Sequence, residues 1–319
     1  MTNAIALRAT WAIILLAGLC WVSGSPQLPV EGLASAVPFA CVAANVSSLP
    51  FCNRSLTTAA RVADLVARLT LPEKLGLLSS TNAAVPRLSL PGFAWGNECL
   101  HGAVVTADMP VAGTLPPHGA TVFPQPLGLA AGFSAAQVHA VGEAIGIESR
   151  ALSNAGAAKS DGTPAFLTCW APNQNIFRDP RWGRGSETYG ESPSLTSEMV
   201  VAYVSGLQGS GSGFGSIYEV GNNSRDFGSG EFFNNSDSNA NGYGKGDAAQ
   251  YLRVLSTCKH FAAYSLEEVD GESRFWFDAV VGKQDMTDTY LPAFEACVRD
   301  AKAAGIMVGG CSLSCLSGE

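Results

Sequence analysis

From about residue 122 onward the chain alternates apolar runs of strand length with capped segments of helix length, and this order restricts the fold more than any other feature. Ser134 with Gln137 caps a helix predicted to run to about Asn154 and to stop at Gly156. Phe166 to Trp170 is a short apolar run bounded by polar residues, which suits a buried strand. Ser192-Pro193 opens a helix with proline at its first position, and Gly209 ends it. Leu252 to Tyr264 contains another strand, Gln284 to Ala304 another helix, and Ile306 to Val308 starts a further strand. Such alternation builds right-handed βαβ units around a parallel sheet, an α/β fold. A (β/α) barrel and an open doubly wound sheet both fit, and periodicity does not separate them.

Upstream, Val62, Leu65, Val66 and Leu69 fall at i, i+3, i+4 and i+7, the spacing of one helix face. Thr70-Leu-Pro-Glu73 then restarts a helix as a capping box. Residues 26–54, rich in Pro, Ser and Ala without clean periodicity, read as an extended arm. Residues 1–25 read as a secretory signal peptide: Arg8, an apolar run from Trp11 to Val22, then small Ser23, Gly24 and Ser25. That run is short of the roughly 20 apolar residues a membrane span needs. The expected location is therefore extracellular or cell wall, with no membrane partner after cleavage.

Export agrees with two other features. Cys20 leaves with the signal, and Cys41, Cys52, Cys99, Cys169, Cys258, Cys297, Cys311 and Cys315 remain, an even set whose pairing sequence does not choose. Acceptor sites for N-glycans stand at Asn45, Asn53, Asn222 and Asn234. Residues 209–247 are dominated by Gly, Ser and Asn and bury too little apolar surface to order, so an exposed, glycan-bearing insertion is expected there. A net charge of −8 without any basic run argues against a nucleic-acid partner. No metal-ligand spacing, phosphate loop or GxSxG elbow occurs, so neither a metal nor a cofactor is expected.

Four clusters hold the side chains chemistry would need. In Trp95-Gly-Asn-Glu98-Cys-Leu-His101-Gly a carboxylate can clamp vicinal hydroxyls while the indole stacks on a sugar face; the bland alternative is a turn in which His101 bonds to backbone. In Asn173–Glu191, Arg178, Arg181 and Arg184 mix with Asp179, Glu187 and Glu191 just after a predicted strand, where parallel α/β folds place their sites. Guanidinium groups supply rigid multidentate geometry there, beside ion pairs that are purely structural. Lys259-His260-Phe261 ends a strand, on which neighbours point to opposite faces. Both Lys259 and His260 reach one site only if the strand ends or bulges; otherwise one of them packs into the structure. Asp270, Glu272, Asp278 and Asp285 read as helix caps and solvated loop charges.

The runs FRDPRWGRGSETYGESP (177–193), CKHFAAY (258–264), EKLGLLSSTNAAVPRLSLPGFAWGNECLHG (73–102), QDMTDTYLPAFEACV (284–298) and FCNRSL (51–56) resemble glycoside hydrolase family 3, in its plant and fungal β-xylosidase/α-arabinofuranosidase branch. The resemblance implies that residues 55–319 form an incomplete (β/α)8 TIM-like barrel, the N-terminal domain of a multidomain glycosidase. It implies that Glu98, Arg184, Lys259 and His260 hold the hydroxyls of a non-reducing terminal sugar, Lys259 and His260 converging through a cis peptide. In the glucosidase relatives an Asp takes the place of Glu98. The longer Glu would fill the space of a hexose hydroxymethyl group and disfavour glucose by roughly a few kcal/mol. The implied partner is a xylo-oligosaccharide or an arabinoxylan fragment, cut from its non-reducing end by a retaining pair of carboxyls about 5 Å apart.

The family pattern breaks after Ala304-Gly-Ile-Met307. Cys-Ser-Tyr-Asn is expected, and the chain reads Val-Gly-Gly-Cys311-Ser-Leu-Ser-Cys315. The nucleophile and acid/base are expected beyond this chain, so no residue here is assigned a catalytic role and no turnover is expected of it alone. An open sheet edge would also make it fold poorly in isolation. Two other readings stay open: a non-catalytic sugar-binding remnant using the same four residues, and a barrel lyase using Lys259 as a Schiff base. The network from Arg178 to Glu191 is not what carbonyl chemistry requires.

Overall fold

The computed structural model of the chain describes residues 40–79, 81–104, 120–155, 165–209 and 252–309. The expected signal peptide, the start of the arm, Gly156, most of the insertion with Asn222 and Asn234, and Cys311 and Cys315 lie outside the described residues.

The helices begin and end where the local chemistry requires. Helix α1 (Thr58–Arg68) starts with the Thr57 hydroxyl accepting from the Ala60 N–H, and α2 (Leu71–Gly76) carries the full Thr70/Glu73 capping box. After α3 (Pro126–Ala130), the Ser134 hydroxyl accepts from the Gln137 N–H at the head of α4 (Ala135–Asn154). Ser192 likewise caps α5 (Pro193–Gln208), which stops at Gly209 in the left-handed region, φ 70°. The segment expected to be one helix from Gln284 is α6 (Lys283–Asp285) and α7 (Pro292–Glu295), each followed by a π turn, Met286–Tyr290 and Ala296–Asp300. Pro292 has no N–H to give the ladder, so an α-helix cannot run through it unbroken.

Three parallel strands, β3 (Thr168–Cys169), β4 (Leu255–Phe261) and β7 (Gly305–Val308), form a sheet in the order β3-β4-β7. The chain is therefore α/β as the alternation required. Two antiparallel hairpins accompany them: β1 (Thr81–Asn82) with β2 (Phe93–Ala94), and β5 (Glu268–Val269) with β6 (Glu272–Ser273). The second, not expected from the sequence, turns at Asp270-Gly271, whose φ values of 52° and 87° match a tight two-residue hairpin turn. Asp270 in the turn and Asp278 in a loop are exposed as solvated loop charges; Glu272 in β6 and Asp285 in α6 are exposed too, and Asp285 does not cap its helix, whose N-cap is Gly282.

The core joins α4, α5 and the sheet through Val138, Ile145, Met199, Tyr203, Leu207, Cys258 and Cys297. From Met199 to Gln208 every residue of α5 is buried, which marks an inner helix rather than an amphipathic surface one. Glycines let its backbone touch that of α4: a Cβ at Gly146 would stand 2.3 Å from the Leu207 carbonyl, and one at Gly206 2.3 Å from that of His139. Neither backbone can retreat without opening the core. Gly206→Ala is expected to destabilise the chain by about 3 kcal/mol, the upper range for overpacking, as a fall in the urea midpoint.

Two expectations need correction. Residues 40–54 of the arm are folded into short helical turns, Ala40–Val42 and Pro50–Cys52, rather than extended. Val46, Phe51 and Cys52 bury together there, a Cys41–Cys52 disulfide closes the loop, and Asp64 and Arg61 of α1 hold the Phe51 backbone. The apolar stripe of α1 is also divided. Leu65 packs on that small cluster and Leu69 is buried, whereas Val62 and Val66 are 52% and 44% exposed.

Candidate functional site

A cavity of about 310 Å³ opens at the C-terminal ends of the parallel strands. Trp170 follows β3, Lys259 and His260 end β4, and Met307 to Gly309 end β7; all of them line it. The remaining wall is Glu98, Arg184, Tyr264, Arg274, Phe275. The four side chains singled out in sequence therefore meet around one hollow, although Glu98 and His260 are 162 positions apart.

Lys259 is the most constrained of them. It is 1% exposed, and its ammonium donates to the Glu98 carboxylate at 2.7 Å. Burial pulls the ammonium below its ordinary proton affinity, and Glu98 restores only part of that. The strand pairing with β7 shifts between Lys259 and Phe261, and the Lys259–His260 peptide is cis. Both neighbours thus line the cavity, so neither of them is merely packed away.

His260 is held by Asn175, which no sequence argument had marked out from its cluster. The Asn175 Oδ1 accepts from the His260 backbone N–H at 2.9 Å and from ring Nδ1 at 3.0 Å, while Nδ2 donates to the His260 carbonyl at 2.8 Å. The ring therefore carries its proton on Nδ1, and Nε2 faces the Arg184 guanidinium at 3.4 Å. Burial first, then the neighbouring Lys259, Arg184 and Arg274 cations, push its pKa down from 6.5 to about 3.

That depression makes stability pH-dependent. The unfolded chain takes up a proton near the ordinary histidine pKa, and the folded one refuses it. The contribution is intact above about pH 6.5 and fades as pH falls toward 3, at up to roughly 1.4 kcal/mol per pH unit. His139, also lowered by burial, acts in the same direction. Urea titrations between pH 7 and 4.5 should show a shallower pH slope for His260→Asn than for the wild-type chain; equal slopes would remove His260 from the account.

Arg184 forms a bidentate pair with Glu187 at 2.9 and 2.6 Å. Burial works against its charge, and Glu187 together with Tyr264 more than offsets that. Gly185 beside it leaves room for the Phe177 ring, which would lie 2.1 Å from a Cβ. The rest of its cluster stays outside: Arg181 pairs with Asp179 at the surface, Arg178 lies over the Tyr290 ring, and Glu191 is exposed.

The aromatic wall differs from expectation. Trp95 does not line the cavity; it packs edge-on against Phe93 and is 44% exposed. His101 bonds to the Phe123 carbonyl, the bland alternative for that turn. Trp170 lines the hollow instead, its indole occupying the space that a side chain at Gly96 would need, 2.0 Å from a Cβ. Tyr264 stands edge-on to His260 and to Trp182 and shares a hydrogen bond with Glu267. Gly96 and the Asp270-Gly271 turn were the sequence signals that could have led to Trp170, Arg274 and Phe275.

Disulfides adjoin the site on two sides. Cys99 pairs with Cys169, so Glu98 and Trp170 each neighbour one end of the bridge. Cys258, next to Lys259, pairs with Cys297. Among the described residues no group of three His, Cys, Asp or Glu could hold a metal ion.

This is an α/β protein of the parallel-sheet class, with a charged, aromatic-walled pocket at the strand ends. Residues 97–319 match the family described as Glycosyl hydrolase family 3 N terminal domain, and the chain belongs to that family. It is 40% identical over 285 residues to β-D-xylosidase 3 of Arabidopsis thaliana, covering 88% of this chain and 31% of that protein. It is also 40% identical over 293 residues to β-xylosidase/α-L-arabinofuranosidase 1 of Medicago sativa subsp. varia, covering 91% and 32% respectively. A solved GH3 exo-β-xylosidase, in complex with a xylobiose aziridine activity-based probe, superposes with a TM-score of 0.66 at 28% identity, over 85% of this chain and 29% of that one. The chain thus spans about a third of the length of the curated relatives it matches.

Proposed function

We propose that the cavity binds the non-reducing terminal xylose of a xylan-derived oligosaccharide, as the sugar-recognising part of a secreted, exo-acting, retaining β-xylosidase. One observation carries the reading: a buried ammonium, a carboxylate, a guanidinium and an imidazole acceptor converge on one hollow of about 310 Å³. Such a set offers both donors and acceptors to ring hydroxyls, and Trp170 offers an apolar face. The β-xylosidase relatives support the sugar, and three parallel strands ending at the pocket support a TIM-like barrel. The leader-like first 25 residues support export, and the exposed Asn45 and Asn53 suit glycan attachment.

Among the described cavity-lining residues Glu98 is the sole carboxyl, and it is committed to Lys259. A retaining glycosidase needs two carboxyls about 5 Å apart across the scissile bond. This favours a chain that holds sugar without cleaving it. The chain should bind xylose in preference to glucose by saturation-transfer NMR and should not turn over an aryl β-xyloside. Equal binding of the two sugars, or none, sinks the pentose site; turnover sinks the account of its chemistry. The lowered proton affinity of Lys259 is the single feature that suits a Schiff base, and borohydride trapping of a carbonyl ligand on Lys259 tests that reading.

A further inference from the structure

The side chain that governs His260 stands behind the cavity wall rather than in it. Asn175 lies on the stretch after β3 and is buried, whereas His260 belongs to the wall itself. Two backbone groups of His260 fix which way the Asn175 amide points. Its Nδ2 donates to the His260 carbonyl at 2.8 Å, and its Oδ1 accepts from the His260 N–H at 2.9 Å. Turned over, the amide would set NH₂ against an N–H and oxygen against a carbonyl, and both bonds would be lost. Oδ1 is therefore the atom 3.0 Å from ring Nδ1, and an amide oxygen only accepts. Tyr264, edge-on to the imidazole with centroids 5.1 Å apart, holds the plane of the ring.

The effect of this clamp is felt at the other nitrogen. With the proton kept on Nδ1, Nε2 is a bare acceptor. Arg184 commits Nε and Nη2 to Glu187, so Nη1 is the nitrogen that faces Nε2, at 3.4 Å. An acceptor and a donor thus stand side by side at the cavity, a pattern that one hydroxyl completes by donating to the first and accepting from the second. Were Nε2 protonated, two donors would face each other and the hydroxyl proton would find no acceptor between them. Resting on the terminal-xylose reading, we propose that Asn175 is a positioning residue for sugar recognition, fixing His260 as a neutral ring whose Nε2 accepts from a sugar hydroxyl. Asn175 does so without touching the ligand.

The charged and titratable groups around the ring are Lys259 beside it on β4, Arg184 and Glu187 from the segment after β3, and Tyr264, Glu267 and Arg274 from the chain beyond β4; Glu98 acts through Lys259. Burial first, then Lys259, Arg184 and Arg274, oppose a second proton on the imidazole. Asn175→Asp sets a carboxylate against Nδ1 and reverses part of this, raising the histidine pKa by about 1–3 units. As pH falls through the raised value the ring becomes an imidazolium, and Nε2 turns from acceptor to donor.

Nitrogen-15 NMR of the imidazoles reads the tautomer directly. The chain has 4 histidines, and the His260 signals are those missing from His260→Gln. The wild-type ring should stay neutral, protonated on Nδ1, between about pH 5 and 8. Xylose titrations of Asn175→Asp should show affinity falling about tenfold from about pH 8 to about pH 5, relative to the wild type over the same range. The fall should coincide with uptake of the second proton by His260 in the variant's own spectra. A wild-type ring protonated on Nε2 overturns the proposal, and so does a pH-independent loss of binding in Asn175→Asp with His260 still neutral, which makes the clamp structural only. If Asn175→Asp does not fold, the wild-type tautomer decides. If wild-type xylose binding is absent, the terminal-sugar reading falls, while the tautomer still reports separately whether Asn175 sets the ring.

Discussion

Lys259→Met is expected to weaken xylose binding roughly 10–100-fold while leaving thermal stability unchanged or higher. The two halves of this result have one cause. The ammonium is almost wholly buried and burial depresses its proton affinity, so the fold holds the charge against a desolvation penalty that Glu98 offsets only in part. Methionine matches the stem closely in length and shape and removes the penalty; taking one partner from a buried pair is costly when the other stays buried, but here the partner left behind is at the surface. The ligand loses a charge-assisted hydrogen bond, worth about 1.5–3 kcal/mol. Glu98 is left without its partner but is half exposed, so water can satisfy it. Calorimetric melting together with xylose titration separates the possibilities. A variant that binds normally, or that loses binding only because it no longer folds, makes Lys259 a structural residue.

The second large effect concerns the Cys99–Cys169 bridge. Its cysteines are 70 positions apart, and closing so long a loop restrains the unfolded chain by about 4 kcal/mol in the loop-entropy account. The Cys99→Ala/Cys169→Ala double variant should melt on the order of 10 °C lower. It should also lose most xylose binding, because Glu98 sits in a segment of no regular secondary structure. That segment is tied to β3 by the bridge and by the Trp170 N–H donating to the Asn97 carbonyl at 2.8 Å. Opening Cys41–Cys52, whose cysteines are only 11 apart and lie away from the cavity, is the control: it should lower stability by about 3 kcal/mol and leave binding intact. If both double variants bind xylose like the wild type, the bridge near Glu98 positions nothing.

Local chemistry was readable from the residues wherever it acts over a few positions. Thr70, Ser134 and Ser192 cap the helices they were expected to cap, because a hydroxyl reaches an N–H only three residues on. The α/β alternation held for the same reason: strand and helix periods are properties of short windows. The wall of the cavity was less legible. Trp95 and Trp170 are equally suited by composition to face a sugar. Which one does so depends on a ring lying over Gly96 from 74 positions away. The stripe on α1 was correct as a helix signal and incorrect as a burial signal, since periodicity carries no information about what lies opposite.

From sequence alone came the alternation of the parallel strands with helical segments, the caps, and the four polar residues that gather at the strand ends. These follow from short-range hydrogen bonding and from motifs whose spacing identifies a family. The pairing of the cysteines, the clamp of Asn175 on His260 and the choice of Trp170 over Trp95 came only from the tertiary structure. Each depends on distances between segments far apart in the chain. Such distances are set by how one inner helix, two glycine contacts and a three-stranded sheet pack together.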